Sequence, residues 1–520
     1  MSVDTPAFPT RLGAARRTRP VAILAVVLVA ALAINVETTI VNVALPTLNS
    51  ALGASTQALQ WIVDAYNLAF AALVLAGGTI GDRFGRRGAL IAGLTLFAAG
   101  SIGAALCTST GPLIGMRLVM GVASALIYPT TLAIITDTFR DPRHRAAAIG
   151  VWGAVTGLGV AIGPILGGAL LEVFWWGSLF LALAPIALAA ALAALFVIPA
   201  TALGQAHRLD RGGLVLSVVM LGALVYTIIE APDRGWTSAP TLGGFAVALI
   251  AAVSFAWWER RRSDPLIDIS LFTNLRFSAA SCAVTVAFFA LFGFIFLITQ
   301  FMQLIQGNSA LETGVRILPV ALSIAVGSIL GTRLAVTRIG TKAVVFVGLL
   351  LLAASFGWIA ASDLAITYPT MAMQMVLLGG GLGLTTAPAT DSIMGVVRPE
   401  QAGAGSAVND ATRQVGGTLG VAVIGSIFST LYIRHLADSP SVSGLPAAAQ
   451  STAREGLAQG LAVAGQAPPP FAGAVRNAVD TAFLAGLQAG CLTAAGICLA
   501  GAVFVLAVLP SHPKASVAES

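Results

Sequence analysis

The chain has 520 residues, of which 57% are hydrophobic and 10% charged, with a mean hydropathy of +0.91 and a formal net charge of +6. Soluble chains carry about 25% charged residues, so the composition excludes a water-soluble globular protein and points to an all-α membrane protein. The basic residues are spread a few at a time over short loops with no continuous basic face, a pattern that sets membrane orientation and excludes nucleic acid as a partner.

A spanning helix needs about 20 apolar residues. Fourteen runs of that kind are predicted, at 21–45, 57–78, 89–107, 111–136, 146–170, 177–198, 213–230, 240–258, 277–304, 313–335, 342–361, 369–394, 405–431 and 481–509. The first is too long, and lacks the small-residue cleavage site, for a secretory signal peptide. It follows a tail, 1–20, holding Arg11, Arg16, Arg17 and Arg19. Later basic clusters occupy alternate loops: Arg83, Arg86 and Arg87; Arg140, Arg143 and Arg145; Arg208 and Arg211; Arg260, Arg261, Arg262 and Arg276; Arg333, Arg338 and Lys342. Cytoplasmic loops carry the excess of Lys and Arg, so the alternation predicts an even span count with both termini, including the 511–520 tail, in the cytoplasm. The long segment 432–480 falls on the other side. It is rich in Ala, Ser, Pro and Gln, and is expected to be external and mobile, with one short surface helix near 446–462.

The chain also repeats. TRIGTK at 337–342 echoes DRFGRR at 82–87, and both follow the second helix of a six-helix unit. The fifth span (Gly153, Gly157, Gly163, Gly167, Gly168) and the thirteenth (Gly416, Gly417, Gly420, Gly425) are both glycine-seamed. The predicted organisation is a six-helix bundle at 21–198, inserted helices 7 and 8 within 199–258, and a second six-helix bundle at 259–510. Two homologous halves meeting at a midplane site is a transporter layout. Cys107, Cys282, Cys491 and Cys498 lie in apolar runs and read as small buried hydrophobes; there is no metal-ligand spacing.

Four motifs carry a family resemblance. They are ETTIVNVALP at 37–46, GTIGDRFGRR at 78–87, RLVMG at 117–121 and VWGAVTGLGVAIGPILGG at 151–168. In order and placement they resemble the fourteen-helix drug:proton antiporters of the major facilitator superfamily, the QacA/EmrB-like group, over residues 20–510. Two positions depart from that pattern. Glu37 stands where the family usually has Asp, and Met120 where it usually has Gln. The resemblance implies a cytoplasmic latch at Gly78, Asp82, Arg83, Gly85, Arg86 and Arg87, with the helix after Pro399 as its counterpart. It also implies an antiporter seam at Gly153, Gly157, Gly163, Pro164, Gly167 and Gly168. Gly159, Gly163 and Gly167 recur every fourth residue and leave a groove for close helix approach, and Pro164 bends the helix. Ordinary helix packing is the plainer alternative for these glycines, as topology alone is for the loop arginines.

Glu37 lies nine residues before Pro46, about 13 Å along a helix at 1.5 Å per residue, and Asp64 and Arg117 lie at comparable depth from the same side. Charges at that depth are costly and functional by default. Desolvation favours a protonated carboxylate and a nearby Arg disfavours it, so a movement that changes either couples Glu37, Asp64 and Arg117 to protons. A structural Glu–Arg pair is the alternative. Asp410 and Arg413, i,i+3 on the thirteenth helix, and Asp391 at the end of the twelfth, read as packing or gating charges. Phe288, Phe292, Phe296, Thr299 and Gln303 fall within an arc of about 80° at 100° per residue. With Tyr66, this stripe is the candidate for the substrate cavity, unless it faces lipid.

The expected function is proton-driven export of amphipathic, cationic or neutral aromatic compounds by a monomer in the plasma membrane, powered by the proton gradient with no cofactor. The alternatives are export of an endogenous lipid or metabolite, proton-coupled uptake, or a membrane-embedded enzyme or sensor on the same fold. The sequence shows no Walker loop, HExxH or nucleophile elbow, which argues against an enzyme.

Overall fold

Long stretches of Ala, Leu, Val and Ile, punctuated by Gly-, Pro- and Arg-rich turns, leave the backbone no hydrogen-bond partners in lipid except its own, so each run closes into a helix. The computed structural model describes residues 20–199, 210–262, 265–337, 339–397 and 402–510, and holds no strand among them. Its long helices are α1 (Pro20–Val43), α2 (Thr56–Phe84), α3 (Arg86–Ala105), α4 (Thr110–Thr138), α5 (Pro142–Val173), α6 (Ser178–Val197) and α7 (Arg211–Arg234). They continue with α8 (Ala239–Glu259), α9 (Leu275–Ile305), α10 (Ala310–Ala335), α11 (Gly340–Ala360), α12 (Tyr368–Met394), α13 (Ala402–Asp438) and α14 (Pro469–Val508). The tails, Arg208, Arg338 and Pro399 lie outside the described residues.

Thirteen of these helices are long and apolar enough to cross a membrane. The remaining one is α12, at the position of the twelfth predicted span. Gln374, three consecutive glycines at 379–381, Thr385 and Thr386 lower its hydropathy, and it packs between α10 and α11. Helix starts follow from local chemistry. The Ser55 hydroxyl accepts from Ala58 N at 3.2 Å to cap α2, and Asp141 accepts from Arg143 N and His144 N to cap α5 ahead of Pro142.

The expectation for 432–480 is corrected. α13 runs on to Asp438 and α14 begins at Pro469, with helices Pro440–Ser443, Ala447–Glu455 and Leu457–Gln466 between them. Alanine is the best helix former, and Pro440, Pro446 and Pro468–Pro469 pre-set the starts at 440, 447 and 469. The segment is a packed cap: Val442, Ala453, Val475 and Val479 are fully buried, and the Tyr432 hydroxyl donates to Ala453 O (3.1 Å) and Gly456 O (3.0 Å).

Helices 1–6 and 9–14 meet at the capped end. Gln60 Nε2 on α2 donates to Val421 O and Ala422 O on α13, each at 3.1 Å. Gln303 Nε2 on α9 donates to Val43 O at 2.8 Å, and Ser309 Oγ to Glu172 Oε1 at 2.6 Å. The cap joins in: Asn49 Nδ2 donates to Gln459 Oε1, and Gln459 Nε2 to Ala54 O, both at 2.9 Å. These contacts between the two sets all lie at this end. α7 packs on both sets, against α2 and α13. Ser217 Oγ donates to Ala72 O (3.3 Å) and Trp236 Nε1 to Thr430 Oγ1 (3.0 Å).

Candidate functional site

Glu37 on α1 and Arg117 on α4 are fully buried and form an ion pair through Glu37 Oε1 and Arg117 Nη1. Arg117 Nε also donates to Ile62 O at 2.8 Å, and the guanidinium lies 4.5 Å from the Tyr66 ring centroid and 5.9 Å from that of Phe180. Each partner keeps one unbonded atom, Glu37 Oε2 and Arg117 Nη2. A buried pair with spare bonding capacity is a poor source of stability, since desolvation offsets most of the attraction. It is a suitable place to break and remake a charge contact.

Tyr66 packs against this pair. It is fully buried, and its hydroxyl lies 2.9 Å from Ser124 Oγ and 3.4 Å from Ile34 O. Ring contacts continue from it through Phe70 and Tyr128 to Trp152 on α5. Met120, also fully buried, packs towards Gly100 on α3, so the departure from Gln falls at a helix contact.

Asp64 stands apart from the ion pair. It is fully buried, and neither carboxylate oxygen has a hydrogen-bond partner. Gln60, Asp64 and Asn67 share one face of α2, at i, i+4 and i+7. Gln60 fixes that face towards α13, where Gln414, Thr418 and Val421 share the facing side. Gln60 Oε1, both polar atoms of Asn67 and Gln414 Oε1 are also buried without partners. Buried polar groups are normally satisfied, so a cluster of orphans marks a place built for water or a ligand. Sequence reading passed over Gln60, Asn67 and Gln414; their signal was polar side chains at helical spacing in apolar runs.

The aromatic stripe of α9 faces protein rather than lipid. Phe292 and Phe296 are buried against Gly417 and Gly425 of α13, and Phe288 is half-buried. Arg413 lies 5.3 Å from the Phe288 ring and donates to Thr390 Oγ1 at 3.4 Å. No ion pair joins Arg413 to Asp410 among the described residues; Asp410 is buried and Asp391 exposed.

At the basic-loop end, Asp82 accepts from Arg86 Nε at 2.9 Å. Arg86 Nη1 also reaches Asp137 Oδ2 at 2.5 Å and Ala133 O at 3.0 Å, tying the α2–α3 turn to the end of α4. Arg83 lies over the Phe84 ring and Arg87 is half-buried. Gly85 turns the chain at φ +91°, a conformation that favours glycine. The close approach to α4 comes at Gly77, where a Cβ would lie 1.9 Å from Ala125 O; at Gly78 the nearest contact is 3.7 Å.

The α5 glycines divide three ways. Gly159, Gly163 and Gly167 hold α1 at close range, a Cβ on Gly163 falling 2.0 Å from Thr39 Oγ1. That seam lies within the first six helices, not between the two sets. Contact across the sets belongs to Gly168, where a Cβ would lie 2.5 Å from Leu311 Cα, and to Pro164, whose carbonyl oxygen would be 2.3 Å from a Cβ on Gly314. Gly153 and Gly157 meet nothing within 4 Å.

A buried ion pair inside a bundle of two helix sets invites comparison with known transporters, and the family model of the Major Facilitator Superfamily matches residues 26–421. The chain belongs to the Major Facilitator Superfamily. Multidrug resistance protein Stp of Mycobacterium tuberculosis is 34% identical over 75% of this chain and 72% of its own length. Multidrug efflux pump LfrA of Mycolicibacterium smegmatis is 32% identical over 94% of this chain and 96% of its own. The fold is shared with a bacterial homologue of the human lysosomal transporter Spinster in an inward-facing, occupied conformation. The TM-score is 0.63 at 19% identity, covering 94% of this chain and 96% of that one. A superfamily member of this kind is a membrane-embedded secondary transporter, and its chemistry is movement of solute rather than bond making.

Proposed function

We propose that this chain is a proton-coupled antiporter that exports amphipathic, cationic or neutral aromatic drugs across the plasma membrane, acting as a monomer without a cofactor. The observation that carries the proposal is the fully buried Glu37–Arg117 pair, with unbonded atoms on both partners, inside a superfamily fold whose relatives include named multidrug efflux pumps. Protonation of Glu37 removes the charge that holds Arg117, and Arg117 keeps its bond to Ile62 O and its seat over Tyr66. The α1–α4 contact therefore has two electrostatic states set by one proton. Asp64 supplies negative charge to the polar face between α2 and α13, which suits a cationic substrate.

The functional division follows 21–198, 199–258 and 259–510, with the basic loops and both termini cytoplasmic. On that orientation the capped end is external, and the contacts concentrated there describe a state closed to the outside. Asp82 and Arg86, paired with each other at the α2–α3 turn, are the candidate latch at the opposite, cytoplasmic end. A tag at the C-terminus is expected in the cytoplasm and one in 432–480 outside; both on one side would refute the fourteen-span orientation.

The decisive test is uptake into proteoliposomes under an imposed pH gradient with cationic, neutral and anionic compounds. Uptake is expected for the first two, and its absence for all three refutes proton-coupled drug transport. In the same assay Asp64→Asn is expected to lower transport of the cation about tenfold, the scale of one buried charge contact of ~1.5 kcal/mol, and to leave the neutral compound within about twofold. Equal losses for both would show that Asp64 is not a charge-selecting group.

A further inference from the structure

At the basic-loop end, α8 closes on two tryptophans, an acid and three arginines, Trp257 to Arg262. Adjacent residues on a helix point about 100° apart, so neighbours in this run meet different surroundings. Trp258 turns towards α7. Its Nε1 donates to both oxygens of the buried Asp210 at 2.9 Å, and a Cβ on Gly212 would lie 2.4 Å from its ring. Arg262 stacks on that ring at 4.6 Å and lies 3.9 Å from Asp210 Oδ1. Asp210 also accepts from Gly212 N and Gly213 N, and the buried Glu259 accepts from Ile267 N at 3.2 Å. These bonds fix the foot of the α7–α8 pair and commit Trp258, Glu259 and Arg262 to protein.

Trp257 faces the other way. It is more than half exposed, and Arg261 stacks on it at 4.1 Å. Arg260 and Arg261 are exposed, as is Arg211 at the start of α7, and no carboxylate pairs with any of the three among the described residues. Other arginines at this end are engaged by protein, Arg86 by Asp82 and Asp137 and Arg276 by Ser392. Ile250, Val253 and Trp257 fall within an arc of about 60° at 100° per residue, and all are more than half exposed. An apolar stripe therefore runs along α8 and ends at the free arginines. α8 is the least enclosed of the thirteen apolar spans, with 17% of its most apolar stretch buried, so this stripe meets acyl chains. A tryptophan at the end of a spanning helix sits at headgroup level. A guanidinium stacked on it has its plane fixed and its N–H fork free, which suits bidentate contact with a phosphate. Stripe, ring and fork thus follow the order of acyl chain, glycerol region and phosphate in one lipid.

We propose that the foot of α8 is a binding site for an anionic phospholipid of the surrounding bilayer. Arg260 and Arg261 hold its phosphodiester, its acyl chains lie along Ile250 and Val253, and Arg211 adds positive charge from the neighbouring helix. The inference rests on membrane embedding and does not depend on the transported solute or on proton coupling.

The test uses the full chain in phosphatidylcholine nanodiscs doped with a small, rising fraction of phosphatidylglycerol brominated on its acyl chains near the glycerol. Phosphatidylcholine brominated at the same positions is run in parallel. Bromine quenches tryptophan fluorescence on contact, and the signal of Trp257 is the difference between the unaltered chain and Trp257→Phe. Phosphatidylglycerol is expected to quench Trp257 at about a tenth of the fraction that phosphatidylcholine requires, the scale of one or two arginines acting near a charged headgroup. Arg260→Gln/Arg261→Gln, a change of exposed side chains, is expected to bring the two lipids within about twofold of each other. Neutralising two exposed arginines elsewhere at this end, Arg143→Gln/Arg145→Gln, is expected to leave the preference intact, and soluble glycerol phosphate is expected not to displace the lipid. Equal quenching by the two lipids in the unaltered chain, or a preference that survives Arg260→Gln/Arg261→Gln, would overturn the site. So would an equal loss in Arg143→Gln/Arg145→Gln, which marks general surface charge, or displacement by glycerol phosphate.

Discussion

Glu37→Gln binds substrate and loses transport driven by a pH gradient, falling to the level of protein-free liposomes. Gln is close to the shape of protonated Glu and keeps an oxygen for Arg117 Nη1, but it carries no charge and exchanges no proton. Position 37 is then held permanently in its neutral form, with Arg117 an unmatched cation inside the bundle. Breaking a buried pair by removing one partner costs about 3–5 kcal/mol, so a lower melting temperature accompanies the change. Transport is therefore compared per folded molecule. Glu37→Asp, which restores the family's usual acid on a shorter arm, keeps much of the activity. The measurement is binding and gradient-driven flux of one cation and one neutral compound in each variant. Undiminished coupled flux in Glu37→Gln would remove the coupling role of Glu37 and leave the fold and family untouched.

Leucine at either of two α5 glycines also abolishes transport, for different reasons. At Gly163 a Cβ already lies 2.0 Å from Thr39 Oγ1 and 2.9 Å from Val36 O, so α1 must be displaced, and Glu37 moves with it. At Gly168 the obstruction is backbone of the other set, Leu311 Cα and Ala310 O, so the capped end cannot close. Overpacking a tight contact costs about 1–3 kcal/mol or more, because backbone rather than a flexible side chain must give way. Both variants are expected in the membrane at normal abundance by immunoblot, with flux below a tenth of wild type as an order-of-magnitude expectation. Flux close to wild type in both would mean that neither contact forms during the transport cycle.

The helix count, the alternating charged loops and the family motifs were legible in the sequence because lipid allows few backbone solutions and each leaves a long signature. Partners were harder to read. Depth counted in residues put Asp64 level with Arg117 but said nothing about the side of the helix. Ile62 and Tyr66, four apart, face Arg117; Asp64 sits midway between them, about 200° around at 100° per residue, and faces away. Glycine spacing on α5 announced a groove without naming its occupant, which is α1. Asp137, the partner of Arg86, is distant in sequence and belongs to no quoted motif. For 432–480, abundant Pro and Ser suggested irregular chain, but the prolines sit at helix starts and the alanines fill the turns after them.

The 37 residues of α13 and 40 of α14 correspond to about 55 and 60 Å of helix at 1.5 Å per residue, against a hydrocarbon core about 30 Å thick. Both helices therefore project well beyond the bilayer and carry the cap as a rigid lever arm. A small tilt of the second helix set within the lipid becomes a larger sweep at Gln459. Such a sweep would break the Asn49 and Ala54 contacts with Gln459. With a tilting second set the cap is a mechanical amplifier, and a probe attached to it is expected to travel further than any position inside the membrane.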